Sequence, residues 1–120
     1  MKPAILIIAL LATGCASQPF DKWTTADTAR QAALTTLIAV DWAQTREIAR
    51  NPNYYERNPV MGKHPTSTEV DLYFAASLLI HTAFPAMLNP RNRKIWQYVW
   101  MGERAAWVVN NHRVGIRIQF

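Results

Sequence analysis

The segment Thr66–Leu88, TSTEVDLYFAASLLIHTAFPAML, is nearly uncharged and decides the fold of this chain. Thr66 and Glu69 have the spacing of a capping box, in which each side chain accepts a hydrogen bond from the other residue's backbone N–H. One stripe at helical spacing follows, made of Val70, Phe74, Leu78, His81 and Phe84. The segment therefore predicts a helix ending near Leu88. Pro85 is the position where this helix would bend, because the proline ring disrupts a helical hydrogen bond.

Two further helices are predicted on either side of this segment. Thr24 or Thr25 can cap a first helix that runs from Ala26 to about Arg50, without Gly or Pro, and stops before Asn51-Pro52. Asn89-Pro90 begins a third helix, with the asparagine as N-cap and the proline in the first turn, and this helix continues to about Asn110.

The tail after the third helix alternates between apolar and polar residues, which is the period of a strand. Val114, Ile116, Ile118 and Phe120 would lie on one side, and the tail would pack extended across the helices or pair with another chain. We therefore expect an all-α fold: a three-helix bundle with a short C-terminal extended strand.

Within this helix, Val70–Leu88 is mostly apolar and also has the length of a membrane span, which takes ~20 residues. A helix that is apolar on every side can equally be the buried centre of a small bundle. The other two helices carry charges near their middles, such as Asp41 and Glu103, and a central charge costs ~2.5–3.5 kcal/mol on insertion scales. The sequence thus favours the bundle with the second helix at its centre.

The N-terminus, MKPAILIIALLATGCASQ, has the layout of a secretory signal peptide. Lys2 precedes the apolar run Ala4–Ala12, which is shorter than a membrane span. The small residues that end in Cys15 resemble the bacterial lipobox, in which the cysteine is diacylated and becomes the mature N-terminus. By the same resemblance to lipoprotein sorting rules, Ala16 after the cysteine implies the outer membrane, since aspartate there would retain the protein at the inner membrane.

Cys15 is the single cysteine of the chain, so it has no intramolecular disulfide partner. Acylation, for example with palmitate, would explain this unpaired cysteine. Several acyl chains make a stable membrane anchor, whereas a single chain binds the membrane only marginally. We predict a signal peptide over residues 1–14, an acylated tether over 15–24 and a single helical domain over 25–120. An ordinary cleaved signal, or an uncleaved anchor helix with a free Cys15, is the alternative.

The chain carries a formal charge of +5, but its basic residues are scattered and no nucleic-acid motif accompanies them. We predict no nucleic-acid partner and expect the charge to favour anionic lipid headgroups. Arg91, Arg93, Lys94 and Trp96 begin the third helix and are candidates for contact with a membrane surface, where tryptophan favours the headgroup level. Packing of the tryptophans in the core is the alternative.

Each predicted helix carries an ionisable residue inside its apolar stripe: Asp41, His81 and Glu103, with Arg104 beside the last. Buried charges are costly unless they are paired, so we predict a buried polar network that fixes the helix register. A small enzyme using Asp41, His81 and Glu103 for acid–base chemistry is the alternative. No metal-binding spacing of His or Cys and no glycine-rich phosphate loop occurs, so we predict no catalytic residue, metal or cofactor.

The connection YYERNPVMGKHP, Tyr54–Pro65, joins the first two helices. Asn58-Pro59 is typical of turn initiation, and Gly62 can adopt a positive φ. Its exposed side is the predicted partner-binding surface, because loops on rigid scaffolds often carry function. The candidates are Tyr54, Tyr55, Glu56, Asn58, Pro59, Gly62 and His64.

One set of residues resembles a group of small lipoproteins or membrane proteins of Gram-negative bacteria and their phages. It comprises Asp41-Trp42, Thr45-Arg46, Glu56-x-Asn58-Pro59-Val60-Met61-Gly62 and Pro65. The resemblance implies envelope localisation and a helical fold, and it brings no activity with it.

These observations predict a non-enzymatic envelope lipoprotein, held at the periplasmic face of the outer membrane by acylated Cys15. It would bind another envelope component, and a phage-derived role such as blocking reinfection or assisting lysis is one form of this hypothesis. The first alternative is an integral inner-membrane protein with the second and third helices as a hairpin, whose loop NPRNRK would be cytoplasmic by the positive-inside rule. The small enzyme is the second alternative.

Overall fold

The computed structural model describes residues 18–119 and shows the expected three-helix bundle. Helix α1 is Thr25–Arg50, α2 is Ser67–Met87 and α3 is Pro90–Arg113. The helices run up, down and up, so the start of α1 lies near the α2–α3 connection. The proposed signal peptide, Cys15 and Phe120 lie outside the described residues.

The helix starts follow from their caps. Thr66 Oγ1 accepts from the backbone N–H of Glu69 at 3.2 Å, and the Glu69 carboxylate accepts from the backbone N–H of Thr66 at 2.8 Å. Thr24 forms the same reciprocal pair with Asp27 at the start of α1. Asn89 caps α3, with Pro90 as its first residue. All three starts were predictable because capping is local chemistry.

The central helix is α1. It packs along both α2 and α3, whereas α2 and α3 contact each other much less. Leu34 and Ile38 of α1 form the core with Val70 and Phe74 of α2, and Trp42 stacks on Phe74 with ring centroids 6.0 Å apart. The expectation that apolar α2 would be the buried centre is therefore wrong. The outer face of α2 is exposed.

The C-terminal tail folds back over the helices, and no strand occurs within residues 18–119. Gly115 adopts φ +98°, and the backbone N–H of Ile116 donates to the Asn111 carbonyl at 3.0 Å. Ile116 is buried, but Val114 is 50% exposed, so the expected alternation does not begin at Val114. Because Val114 belongs to the turn that ends α3, the extended part of the tail begins after it and packs across the bundle.

Candidate functional site

A buried ion pair between Asp41 and Arg104 connects all three helices. Arg104 Nη1 donates to Asp41 Oδ2 at 2.8 Å, and its Nη2 donates to Ser77 Oγ of α2 at 2.9 Å. Asn111 Nδ2 approaches the other Asp41 oxygen at 3.4 Å, and Thr45 Oγ1 donates to the Asp41 carbonyl at 2.8 Å. The three ends of this network come from different helices, so it constrains their register.

Of the other two residues of the predicted network, Glu103 joins Asp41 through Arg104, and His81 forms no hydrogen bond with Asp41 within residues 18–119. His81 is buried against Trp96 and Trp100, with ring centroids 5.4 and 4.9 Å away, and its Nδ1 has no hydrogen-bond partner. Glu103 is half-buried, accepts from Trp107 Nε1 at 2.7 Å and lies 3.4 Å from Arg104 Nε. His81 instead lines a pocket beside Ser77 and Arg104, the ion-pair partner of Asp41.

A second buried network surrounds Arg93, which is fully buried. Its guanidinium donates to the backbone carbonyls of Pro85 and Leu88, each at 2.9 Å, lies 3.4 Å from the Asp27 carboxylate and covers the Trp23 ring at 4.7 Å. The expectation that Arg93 contacts a membrane surface is therefore wrong in this fold. Arg93 instead donates to the Pro85 carbonyl in the last turn of α2 and to the carbonyl of the C-cap residue Leu88, where helix carbonyls lack their regular intrahelical donors.

The residues around Arg93 differ in their exposure. Arg91 and Lys94 are exposed, whereas Trp96 is half-buried with its ring 4.4 Å from that of Phe84. Gln97, fully buried, accepts from Arg30 Nε at 2.8 Å and donates to the Asp27 carbonyl at 3.1 Å. Sequence analysis missed Asp27 and Gln97 because their partners are distant in sequence and leave no local pattern.

The connection between α1 and α2 is an ordered elbow. Glu56 is buried and accepts from the Asn58 backbone N–H at 2.8 Å, and its own N–H donates to the Lys63 carbonyl at 2.8 Å. Asn58 Oδ1 accepts from the Val60 N–H, and its Nδ2 donates to Tyr73 Oη of α2 at 2.9 Å. The Glu56-x-Asn58 motif therefore stabilises the elbow through internal hydrogen bonds.

The predicted partner-binding residues divide accordingly. Glu56 faces inward, and Asn58 and Tyr54 are half-buried. Tyr54 Oη donates to the Gly115 carbonyl at 3.3 Å, which connects the elbow to the tail. Four of the candidates remain exposed: Tyr55, Pro59, Gly62 and His64.

The exterior of the bundle is apolar or uncharged along most of its length. On α2 the exposed residues after Asp71 are Leu72, Ala75, Ala76, Leu79, Ile80, Thr82, Ala83 and Met87. On α3, between residues 95 and 109, they are Ile95, Tyr98, Val99, Gly102, Ala106 and Val109. On α1, up to residue 39, they are Thr25, Ala26, Thr28, Ala29, Ala32, Ala33, Thr36 and Ala39. We call these three sets the apolar belt.

The belt and part of the interior depart from the usual distribution of side chains, although Leu34, Ile38, Val70 and Phe74 form an apolar core. Arg93 is the largest fully buried side chain, while Leu72 and Leu79 are 67% and 70% exposed. In water-soluble proteins, arginine is almost never fully buried unless paired, and an extensive exposed apolar surface marks an interaction site. By length and composition, α2 can cross a membrane, and only 33% of its most apolar window is buried.

Exposed charges occur at the two ends of the bundle, beyond the belt. The first end, which holds the start of α1 and the α2–α3 connection, carries Lys22, Arg91 and Lys94. The second end, which holds the elbow and the tail, carries Arg50, Arg57, Lys63, Glu69, Arg113 and Arg117. The exposed imidazoles of His64 and His112 lie at the same end. Three partly exposed charged side chains interrupt the middle: Arg46 and Asp71 are 41% and 40% exposed and lie 3.5 Å apart, and Glu103 is 36% exposed. The surface between the two ends is therefore mostly uncharged.

No cluster of three His, Cys, Asp or Glu side chains placed to hold a metal occurs within residues 18–119. Comparison with known protein families, curated proteins and solved structures finds no match to this chain.

Proposed function

We propose that this chain is a non-enzymatic membrane protein of a bacterial envelope. All three helices lie in the bilayer, Cys15 is acylated, and the exposed side of the elbow binds another envelope component. One observation carries the proposal: the apolar belt extends over all three helices, while the buried charges Asp41, Arg93 and Arg104 are paired inside the bundle.

Lipid accounts for this belt better than a protein partner does. A partner or a second copy would cover one face of the bundle, whereas the belt extends over α1, α2 and α3. In bilayers, ionisable residues of spanning helices face the bundle interior and pair with one another or with backbone carbonyls. Arg104 is paired with Asp41, and Arg93 is paired with Asp27 and with the carbonyls of Pro85 and Leu88.

The dimensions are compatible with a locally thinned bilayer. Leu72 to Met87 covers about 22 Å at 1.5 Å per residue, against ~30 Å for a typical hydrocarbon core. Short hydrophobic segments are accommodated by thinning and by long basic side chains that reach the interface, at a fraction of a kcal/mol per Å. Arg50, Arg91 and Lys94 lie at the belt edges and can extend in this way.

The packing also suggests an orientation. Because α1 packs along both α2 and α3, a hairpin of α2 and α3 alone cannot enter the bilayer without α1. Cys15 and the NPRNRK loop then belong to the same side, which is the outer side if Cys15 is acylated. The second end carries more exposed Lys and Arg and would be cytoplasmic by the positive-inside rule. We therefore propose the inner membrane, with NPRNRK outside and not cytoplasmic.

The proposed test uses single cysteines in a Cys15→Ser background, labelled in isolated membranes with a water-soluble maleimide. Ala33→Cys, Leu79→Cys and Val99→Cys probe the belt on the three helices, and Lys63→Cys is the exposed control. We expect labelling of Lys63→Cys alone until detergent is added. Labelling of the belt positions at the rate of the control would overturn the proposal and favour a bundle held outside the bilayer.

Acylation of Cys15 is tested separately, by palmitate labelling of the wild type and of Cys15→Ser. We expect label in the wild type only. A peripheral outer-membrane lipoprotein, which the Cys15–Ala16 sequence favours, would incorporate label in the same way, but its belt cysteines would react freely. The two experiments together therefore distinguish an anchored bundle from an embedded one.

A further inference from the structure

A groove at the second end of the bundle combines apolar walls with a basic rim. It lies between α1 and α3, is closed by the tail and encloses about 460 Å³. Its walls are Val40, Val108, Val109, Ile116 and Ile118. Its rim is formed by Gln44, His112, Arg113 and Arg117.

The two rim arginines are available to an anion. Arg117 Nη1 donates to the carbonyls of His112 at 2.7 Å and of Ile116 at 3.0 Å, which holds the guanidinium over the tail. Neither Arg113 nor Arg117 forms an ion pair with a carboxylate of residues 18–119, unlike Arg93 and Arg104. A positive charge that is held in place without a protein counter-ion suits a charged ligand.

The position of the groove identifies the class of ligand. Val109 belongs to the apolar belt and Arg113 to the charged end, so the groove crosses the proposed boundary between hydrocarbon and headgroups. Basic residues in the last turn of α3 also interact with its C-terminal dipole, but that role requires no apolar groove beside them. Basic pockets between membrane helices on the cytoplasmic side bind anionic lipid headgroups.

We propose that this groove binds one anionic phospholipid, with its phosphate at Arg113 and Arg117 and an acyl chain along Val40, Val108 and Val109. The inference rests on the proposed membrane embedding and adds a specific lipid site to it. The charge of the rim selects anionic over zwitterionic headgroups, and the apolar walls select a phospholipid over a free anion.

The test is native mass spectrometry of the full chain, released from detergent after incubation with phosphatidylglycerol or phosphatidylcholine. We expect preferential adducts with phosphatidylglycerol. At about 5-fold per arginine near a charged surface, Arg113→Gln/Arg117→Gln should weaken this binding about 25-fold. Arg57→Gln/Lys63→Gln removes the same charge from the same end of the bundle, outside the groove, and should leave the binding within about 3-fold of the wild type.

A second variant tests the walls without changing the charge. Val109→Trp fills the groove at a position that is half-exposed, and it should reduce phosphatidylglycerol adducts while the rim is intact. Equal losses in the Arg113/Arg117 and Arg57/Lys63 variants would overturn the site, because binding would then depend only on net charge. Competition by millimolar inorganic phosphate would also overturn it, since the ligand would then be a free anion.

Failure of this site is distinguishable from failure of the proposed function. Belt cysteines that stay protected from maleimide, in a protein that shows no preference for phosphatidylglycerol, would remove the lipid site alone. Belt cysteines that react freely would remove both.

Discussion

Replacing Arg104 with methionine should be one of the most destabilising single changes in this protein. The substitution preserves much of the volume of the side chain but leaves the Asp41 carboxylate buried without its cation. The other side-chain contacts of the Asp41 carboxylate, with Thr45 and Asn111, are both long at 3.4 Å. Removing one member of a buried ion pair costs about 3–5 kcal/mol, because the partner charge stays desolvated.

The matched control is Arg46→Met. Arg46 lies 3.5 Å from Asp71, and the two side chains are 41% and 40% exposed. Ion pairs with this degree of exposure contribute about 0–1 kcal/mol to the free energy of unfolding. The two variants make the same chemical change, Arg46→Met in α1 and Arg104→Met in α3, so the difference of about 2–5 kcal/mol between them measures the effect of burial.

The assay is reversible unfolding of the purified protein in mixed micelles, with SDS as the denaturant and circular dichroism as the readout. A double variant, Asp41→Leu/Arg104→Met, should recover at least half of the loss, since replacing both members of a buried pair with apolar residues is often neutral. Equal destabilisation by Arg104→Met and Arg46→Met would refute the reasoning, because Arg104 would then not be buried against Asp41.

Three local changes test the elbow and the start of α2. Thr66→Ala should cost about 1 kcal/mol of unfolding free energy by removing the capping box, whereas Thr66→Ser should cost less than half of that. Gly62→Ala should cost about 1–2 kcal/mol because residue 62 adopts φ +79° with open space around it, so strain and not collision is responsible. Asn58→Ala should cost about 1–2 kcal/mol of unfolding free energy through loss of its hydrogen bonds to Val60 and Tyr73. If Tyr73→Phe costs as much, the hydrogen bond between Asn58 and Tyr73 accounts for the whole loss. The SDS titration measures all of these, and an Asn58→Ala value indistinguishable from wild type would contradict the ordered elbow.

The helices and their limits could be predicted from sequence because the determinants are local. Thr66 and Glu69 are three residues apart, and Asn89 and Pro90 are adjacent, so the capping chemistry is visible without tertiary contacts. The elbow was predictable for the same reason, since Asn58 and Gly62 act on their own neighbours.

The identity of the central helix depended on the tertiary structure, because apolarity does not say whether a face meets protein or lipid. The pairing of Arg93 with Asp27 was equally invisible, since it joins residues from the first and third helices. Proximity to Lys94 suggested an exposed basic patch, but the helical rotation between positions 93 and 94 turns one side chain into the bundle and the other outward. Sequence alone determined where each helix begins, whereas the third helix ends at Arg113 and not at the predicted Asn110. Only the packing of the three helices decided which charged side chains are buried and which apolar side chains remain exposed. The burial of a residue depends on the neighbouring helices that cover it and not on its own segment alone.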